Sequence, residues 1–133
     1  MTESARKAHC KRRHRLVILA VAVMVTGAQA ELVDIAWDSA GRFETSMSVA
    51  PGKFAEVCGQ LAKGQSVAWS FKVGQPMNFN IHYHEDKQVV FPVKQDLAVA
   101  AQGKLDVVLS QDYCWMWTNK GTSPSKLTLN LAR

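Results

Sequence analysis

The motif with the sharpest chemical meaning is His82-Tyr83-His84, inside Phe79-Asn80-Ile81-His82-Tyr83-His84-Glu85. Alternate side chains of a β-strand point to the same face. His-x-His on a strand therefore offers two imidazoles to one metal ion. Imidazole is the commonest metal ligand, but a closed structural zinc site takes four ligands. The other two histidines, His9 and His14, fall in a segment expected to be removed. Met116 is the best third ligand. In Tyr113-Cys114-Trp115-Met116-Trp117 the aromatic residues take one parity and Met116 the other. If the two strands share a sheet, Met116 can meet His82 and His84. A His/His/Met set suits copper, because a thioether is a soft ligand. Glu85 and Asp86 could add oxygen ligands, from an expected turn. The plainer alternative is a solvated strand face shared with Asn78 and Asn80, with Met116 a packing residue.

Where these groups act is set by the first thirty residues. Residues 1–30 read as a secretory signal peptide: a basic start (Arg6, Lys7, Lys11, Arg12, Arg13, Arg15), an apolar run from Leu16 to Val25, and Ala28-Gln29-Ala30 as a small-x-small cleavage site before Glu31. Ten apolar residues fall short of the roughly 20 that span a bilayer. The remaining residues 31–133 form one domain, expected to be soluble and periplasmic or secreted. Cys58 and Cys114 are its two cysteines. An even count in an exported protein favours a disulfide. The alternative leaves Cys58 unpaired and makes the Cys114 thiolate a copper ligand beside the histidines.

Removing the leader also removes the charge. The whole chain has 16 Lys+Arg and 11 Asp+Glu, but residues 31–133 hold ten of each. The basic pI reflects export and excludes a case for nucleic-acid binding. No Gly-x-Ser-x-Gly turn, Cys-x-x-Cys or paired carboxylate stands out, so an enzyme is not expected.

Period-two patterning predicts the elements that carry the motif. Val33, Ile35 and Trp37 alternate with polar or small residues, as do Phe43, Thr45, Met47 and Val49. Phe54 to Leu61 is a strand holding Cys58. Val67, Trp69, Phe71 and Val73 make another, Gly74-Gln75-Pro76 breaks the chain, and Met77, Phe79, Ile81 and Tyr83 make the next. Glu85-Asp86-Lys87 is a hairpin tip. Strands follow from Gln88 to Val93, after Gly103, and at Tyr113 to Thr118. Leu127, Leu129 and Leu131 close the chain. Asp96 to Gln102 reads as strand, loop or one helical turn. Short strands with turn residues between them predict an all-β fold, a small antiparallel β-sandwich.

From about Val49 to Leu131 the sequence resembles a GOLD domain, the β-sandwich of luminal vesicle-cargo receptors. The matching pieces are Val57-Cys58-Gly59-Gln60-Leu61 with Lys63-Gly64, then Val67-Ala68-Trp69-Ser70-Phe71-Lys72-Val73 and Phe79-Asn80-Ile81. Asp112-Tyr113-Cys114-Trp115-Met116-Trp117-Thr118-Asn119 and Leu127-Thr128-Leu129 complete them. The resemblance implies a GOLD-like sandwich and a Cys58–Cys114 disulfide. It does not imply a cargo receptor, because the coiled coil, membrane helix and cytosolic signal of that family do not follow here.

Two functions are expected from these residues. One is an exported, non-catalytic protein that binds copper through His82, His84 and Met116 for storage, delivery or tolerance. The other is a disulfide-stapled, GOLD-like interaction module without metal, whose partner is another periplasmic protein.

Overall fold

The structure, a computed structural model, describes residues 30–133. Apart from Ala30, the expected signal peptide lies outside the described residues. Seven strands follow one another: β1 (Glu31–Asp34), β2 (Arg42–Val49), β3 (Phe54–Leu61), β4 (Ser66–Glu85), β5 (Gln88–Asp106), β6 (Gln111–Thr118) and β7 (Ser125–Ala132). The fold is all-β, as the alternation predicts. Pro51-Gly52 and Lys63-Gly64 turn where expected, with Gly52 and Gly64 at φ +70° and +89°, a region costly for a residue with a Cβ.

The strand order is β1-β3-β6-β4-β7-β2, with β5 beside β4. Every pairing is antiparallel except β1 with β3. β4 belongs to two half-sheets. Its first part, Ala68–Val73, pairs with β7, and its second part, Asn78–Tyr83, pairs with β6. β5 runs beside both parts.

The expected break at Gly74-Gln75-Pro76 is instead a bulge inside one 20-residue strand. The β4–β5 register shifts between Lys72 and Met77. Gln75 N–H donates to Ser125 Oγ at 3.0 Å. Proline, which has no N–H, is tolerated at such an irregularity. Because Met77 lies four positions after Val73, the inward parity survives the bend. Trp69, Phe71, Phe79 and Trp117 then pack across it, with ring centroids 4.5 Å apart for the tilted Phe71–Phe79 pair and 5.4 Å for the edge-on Phe71–Trp117 pair. The inward residues of β3, β4, β6 and β7 form one buried core. This burial against both half-sheets is the main stabilising term.

Asp96–Gln102 is strand throughout. Opposite β4, Gln95 and Ala98, three positions apart, face Phe79 and Met77, two positions apart, and Leu97 takes φ +52°. A second extra residue lies between Val90 and Val93, opposite His82. Such bulges bend a strand and re-aim its side chains.

Candidate functional site

The strand pairings fix which groups meet outside the β3–β6–β4 half-sheet. Cys58, Cys114 and His82 form one row across three strands, and Glu56, Met116 and Asn80 form the next. Cys58 and Cys114 are directly opposite, with Cα atoms 4.1 Å apart, and are joined by a disulfide. The free-thiolate alternative for Cys114 therefore does not hold in this structure.

His82 and His84 share this face, as their spacing predicts, with ring centroids 5.6 Å apart. Their environments differ. His84 is exposed, whereas His82 is only 7% exposed. The plainer alternative of a solvated strand face therefore does not hold at His82. Its Nδ1 lies 2.8 Å from Asn80 Oδ1 and its Nε2 3.1 Å from Glu56 Oε1. The β5 bulge brings the Phe91 ring to 5.8 Å from the imidazole.

Burial pushes the His82 pKa below the usual imidazole value; Glu56 opposes that shift and His84 adds to it. Both ring nitrogens face acceptor oxygens, an arrangement that an imidazolium satisfies by donating twice. Turning the Asn80 amide over lets its Nδ2 donate to Nδ1 while Nε2–H donates to Glu56, so the neutral ring is satisfied too. The cluster can thus hold either form of the ring.

Met116 lies between Glu56 and Asn80 in register, one row from His82. It shares the face of the two histidines but the row of neither. Among the described residues, one group of three His, Cys, Asp or Glu side chains brings its donors within 4.8 Å of one another: Glu56, Cys58 and Cys114. His82, His84, Glu85 and Asp86 do not join it. Sequence reading missed Glu56 and Asn80. Their signal was parity: Glu56 is two residues from Cys58, and Asn80 is two from His82, each on the same face. It also missed Asn119 as a structural residue. That side chain is fully buried, donates to the carbonyls of Val49 and Ser123 at 2.9 Å each, and accepts from Gly121 N–H.

The other half-sheet carries a groove of about 1080 Å³ across four strands. Two outward rows line it, Arg42–Ala132–Ala68–Lys104 and Glu44–Asn130–Ser70–Gln102. Small residues of β4 and β7 make its floor, and longer polar ones of β2 and β5 make its walls. Asp38 extends one wall and pairs with Arg42 at 3.4 Å. Arg42 and Lys104 are balanced by Asp38 and Glu44, around the uncharged Asn130, Ser70 and Gln102.

No family model and no curated protein matches the chain. Solved structures do. Aeromonas hydrophila PliG, a periplasmic lysozyme inhibitor of g-type lysozyme, superposes with a TM-score of 0.58 at 14% identity, covering 78% of this chain and 96% of that one. The likeness is one of fold. The pre-peptidase C-terminal domain of a Bacillus anthracis collagenase gives 0.57 at 12% identity, covering 77% and 94%. Salmonella Typhimurium PliG gives 0.54 at 10% identity, covering 78% and 98%. The chain therefore has a small β fold related to these inhibitors and pre-peptidase domains, compatible with the expected sandwich. Among the described residues, no helix is long and apolar enough to cross a membrane.

Proposed function

We propose that the chain is an exported, disulfide-stapled interaction module that binds another protein and does no catalysis. The observation that carries this reading is the groove, an open surface of mixed charged and uncharged polar groups built on four paired strands. The neighbours' fold supports it, because two of them are periplasmic inhibitors of another protein, g-type lysozyme. The leader expected at residues 1–30 and the GOLD resemblance fit the same role. The groove is the surface assigned to the partner, and a g-type lysozyme is the first partner to try. Purified chain added to a g-type lysozyme should lower its rate of cell-wall lysis in a saturable way. An undiminished rate at excess chain would remove the inhibitor reading.

A second reading rests on the 5.6 Å approach of the His82 and His84 rings. It keeps a copper ion on that face, held by His82 and His84 with Met116 as third ligand. Both nitrogens of His82 are engaged by Asn80 and Glu56, so copper must displace one of them. Copper titration of the wild type and of His84→Ala tests it. Equal affinity in the two would remove His84 from the site and this reading with it.

A further inference from the structure

The disulfide lies inside the only cluster of ligand-type side chains among the described residues, and the oxidised state hides what that cluster can bind. The two sulfurs and a Glu56 oxygen lie within 4.8 Å of one another. The same Glu56 carboxylate reaches His82 Nε2 at 3.1 Å. Donors bound at roughly 2.0–2.3 Å to one tetrahedral ion stand about 3.3–3.8 Å apart. Glu56 and the two sulfurs are already near that spacing, whereas His82 stands outside the group, joined to it through Glu56, and its ring must move in to share an ion. Cys58 and Cys114 are part-exposed, which leaves them open to solvent. His82 is buried with Asn80 on its Nδ1, so Nε2, which faces Glu56, is the nitrogen that would turn to the ion.

We infer that Cys58, Cys114, His82 and Glu56 form a redox-gated metal site: closed as the disulfide, and in the reduced chain a tetrahedral site for a thiophilic d10 cation, zinc(II) or copper(I). The opening step balances with a dithiol reductant. Its two thiols are oxidised to a disulfide, the Cys58–Cys114 bond breaks, and two electrons and two protons leave a thiol on each cysteine. The cation then displaces the two thiol protons as two metal–sulfur bonds form. Thiolates are the soft ligands that select zinc and copper(I). Met116, in the next row, is the thioether nearest in register and lies outside the proposed set.

The test uses purified chain, oxidised or reduced by excess phosphine under argon. Cobalt(II) is the spectroscopic probe, zinc(II) the competitor, and copper(I) is supplied from a chromophoric chelator. Reduced chain should bind one cobalt with the near-ultraviolet thiolate charge-transfer band and strong visible bands of a tetrahedral site. Zinc should displace the cobalt, and copper(I) should leave its chelator for the reduced chain alone. Oxidised chain should show none of this. His82→Gln and Glu56→Gln should each weaken binding, by roughly 10- to 100-fold for the loss of a ligand or its support. A reduced chain without the charge-transfer band would overturn the proposal. So would affinity unchanged in both Gln variants, or a Cys58→Ser, Cys114→Ser chain that binds as tightly as reduced wild type. If circular dichroism shows the reduced chain unfolded, one equivalent of zinc must restore the fold, and failure to do so also overturns it.

Discussion

Outside the β3–β6–β4 half of the molecule, polar side chains close on one another: Glu56 and Asn80 grip His82 beside a disulfide. Outside the half built on β2, β7 and the start of β4, polar side chains stand apart around a groove with a floor of Ala68, Ala132, Ser70 and Asn130. The first face withdraws groups from water, so each partner there is costly to lose. The second leaves its groups hydrated and free to exchange water for a ligand. One face has the economy of a built cluster and the other that of a contact surface. The same β4 strand supplies both, Ala68 and Ser70 before the bulge and Asn80 and His82 after it.

The comparison breaks first at the disulfide. It closes a loop of 56 residues and ties two strands that are remote in sequence. The Cys58→Ser, Cys114→Ser chain should lose about 4 kcal/mol in urea unfolding by the chain-entropy estimate. A loss below about 1 kcal/mol would mean that the β3–β6 pairing is held by its core residues alone.

His82→Ala comes next, because it leaves the Glu56 carboxylate and the Asn80 amide without their partner. It should cost about 3 kcal/mol, while Ser70→Ala in the groove should stay within about 0.5 kcal/mol. Similar losses at the two positions would erase the distinction between the faces. Gly103→Ala probes the strand behind the groove. Its Cβ would lie 2.6 Å from Trp69 Cζ2 and 2.9 Å from Cε2, so the indole must shift, at about 2 kcal/mol. An unchanged urea midpoint would show that Trp69 moves without cost.

The smallest effect is that of pH on the oxidised, metal-free chain. The folded-state pKa of His82 lies below its unfolded value of about 6.5. The unfolded state therefore binds more protons as pH falls, and stability is lost from about pH 6.5 down through the lowered folded pKa. Above that window His82 contributes no pH dependence. Urea midpoints from pH 8 to pH 5 should show this loss in wild type and not in His82→Gln. The same slope in both would place the titrating group elsewhere.

Much of this was legible in the sequence because strand parity is a strong signal. Val67, Trp69, Phe71 and Val73, and then Met77, Phe79, Ile81 and Tyr83, read as one face and are all buried. Phe54 to Leu61 reads as a strand and is β3 residue for residue. Asp96–Gln102 was ambiguous for a physical reason. Across the bulges the β5 residues opposite the inward side chains of β4 run Val90, Val93, Gln95, Ala98 and Ala101, so no period of two is visible. The shared face of His82 and His84 was legible. The burial of His82 was not, because it depends on Glu56 from β3 and on a bulge that carries Phe91 over the ring. The groove was likewise invisible. It is made by four strands brought together by long-range pairing, and none of its residues has a distinctive spacing.

The central claim is that the chain works as a binder through its open face. Calorimetric titration into a g-type lysozyme tests it most directly. Wild type should bind saturably, Ser70→Arg should weaken binding by roughly tenfold or more, and His84→Ala should leave it unchanged. Heats of dilution alone from disulfide-bonded wild type would contradict the claim.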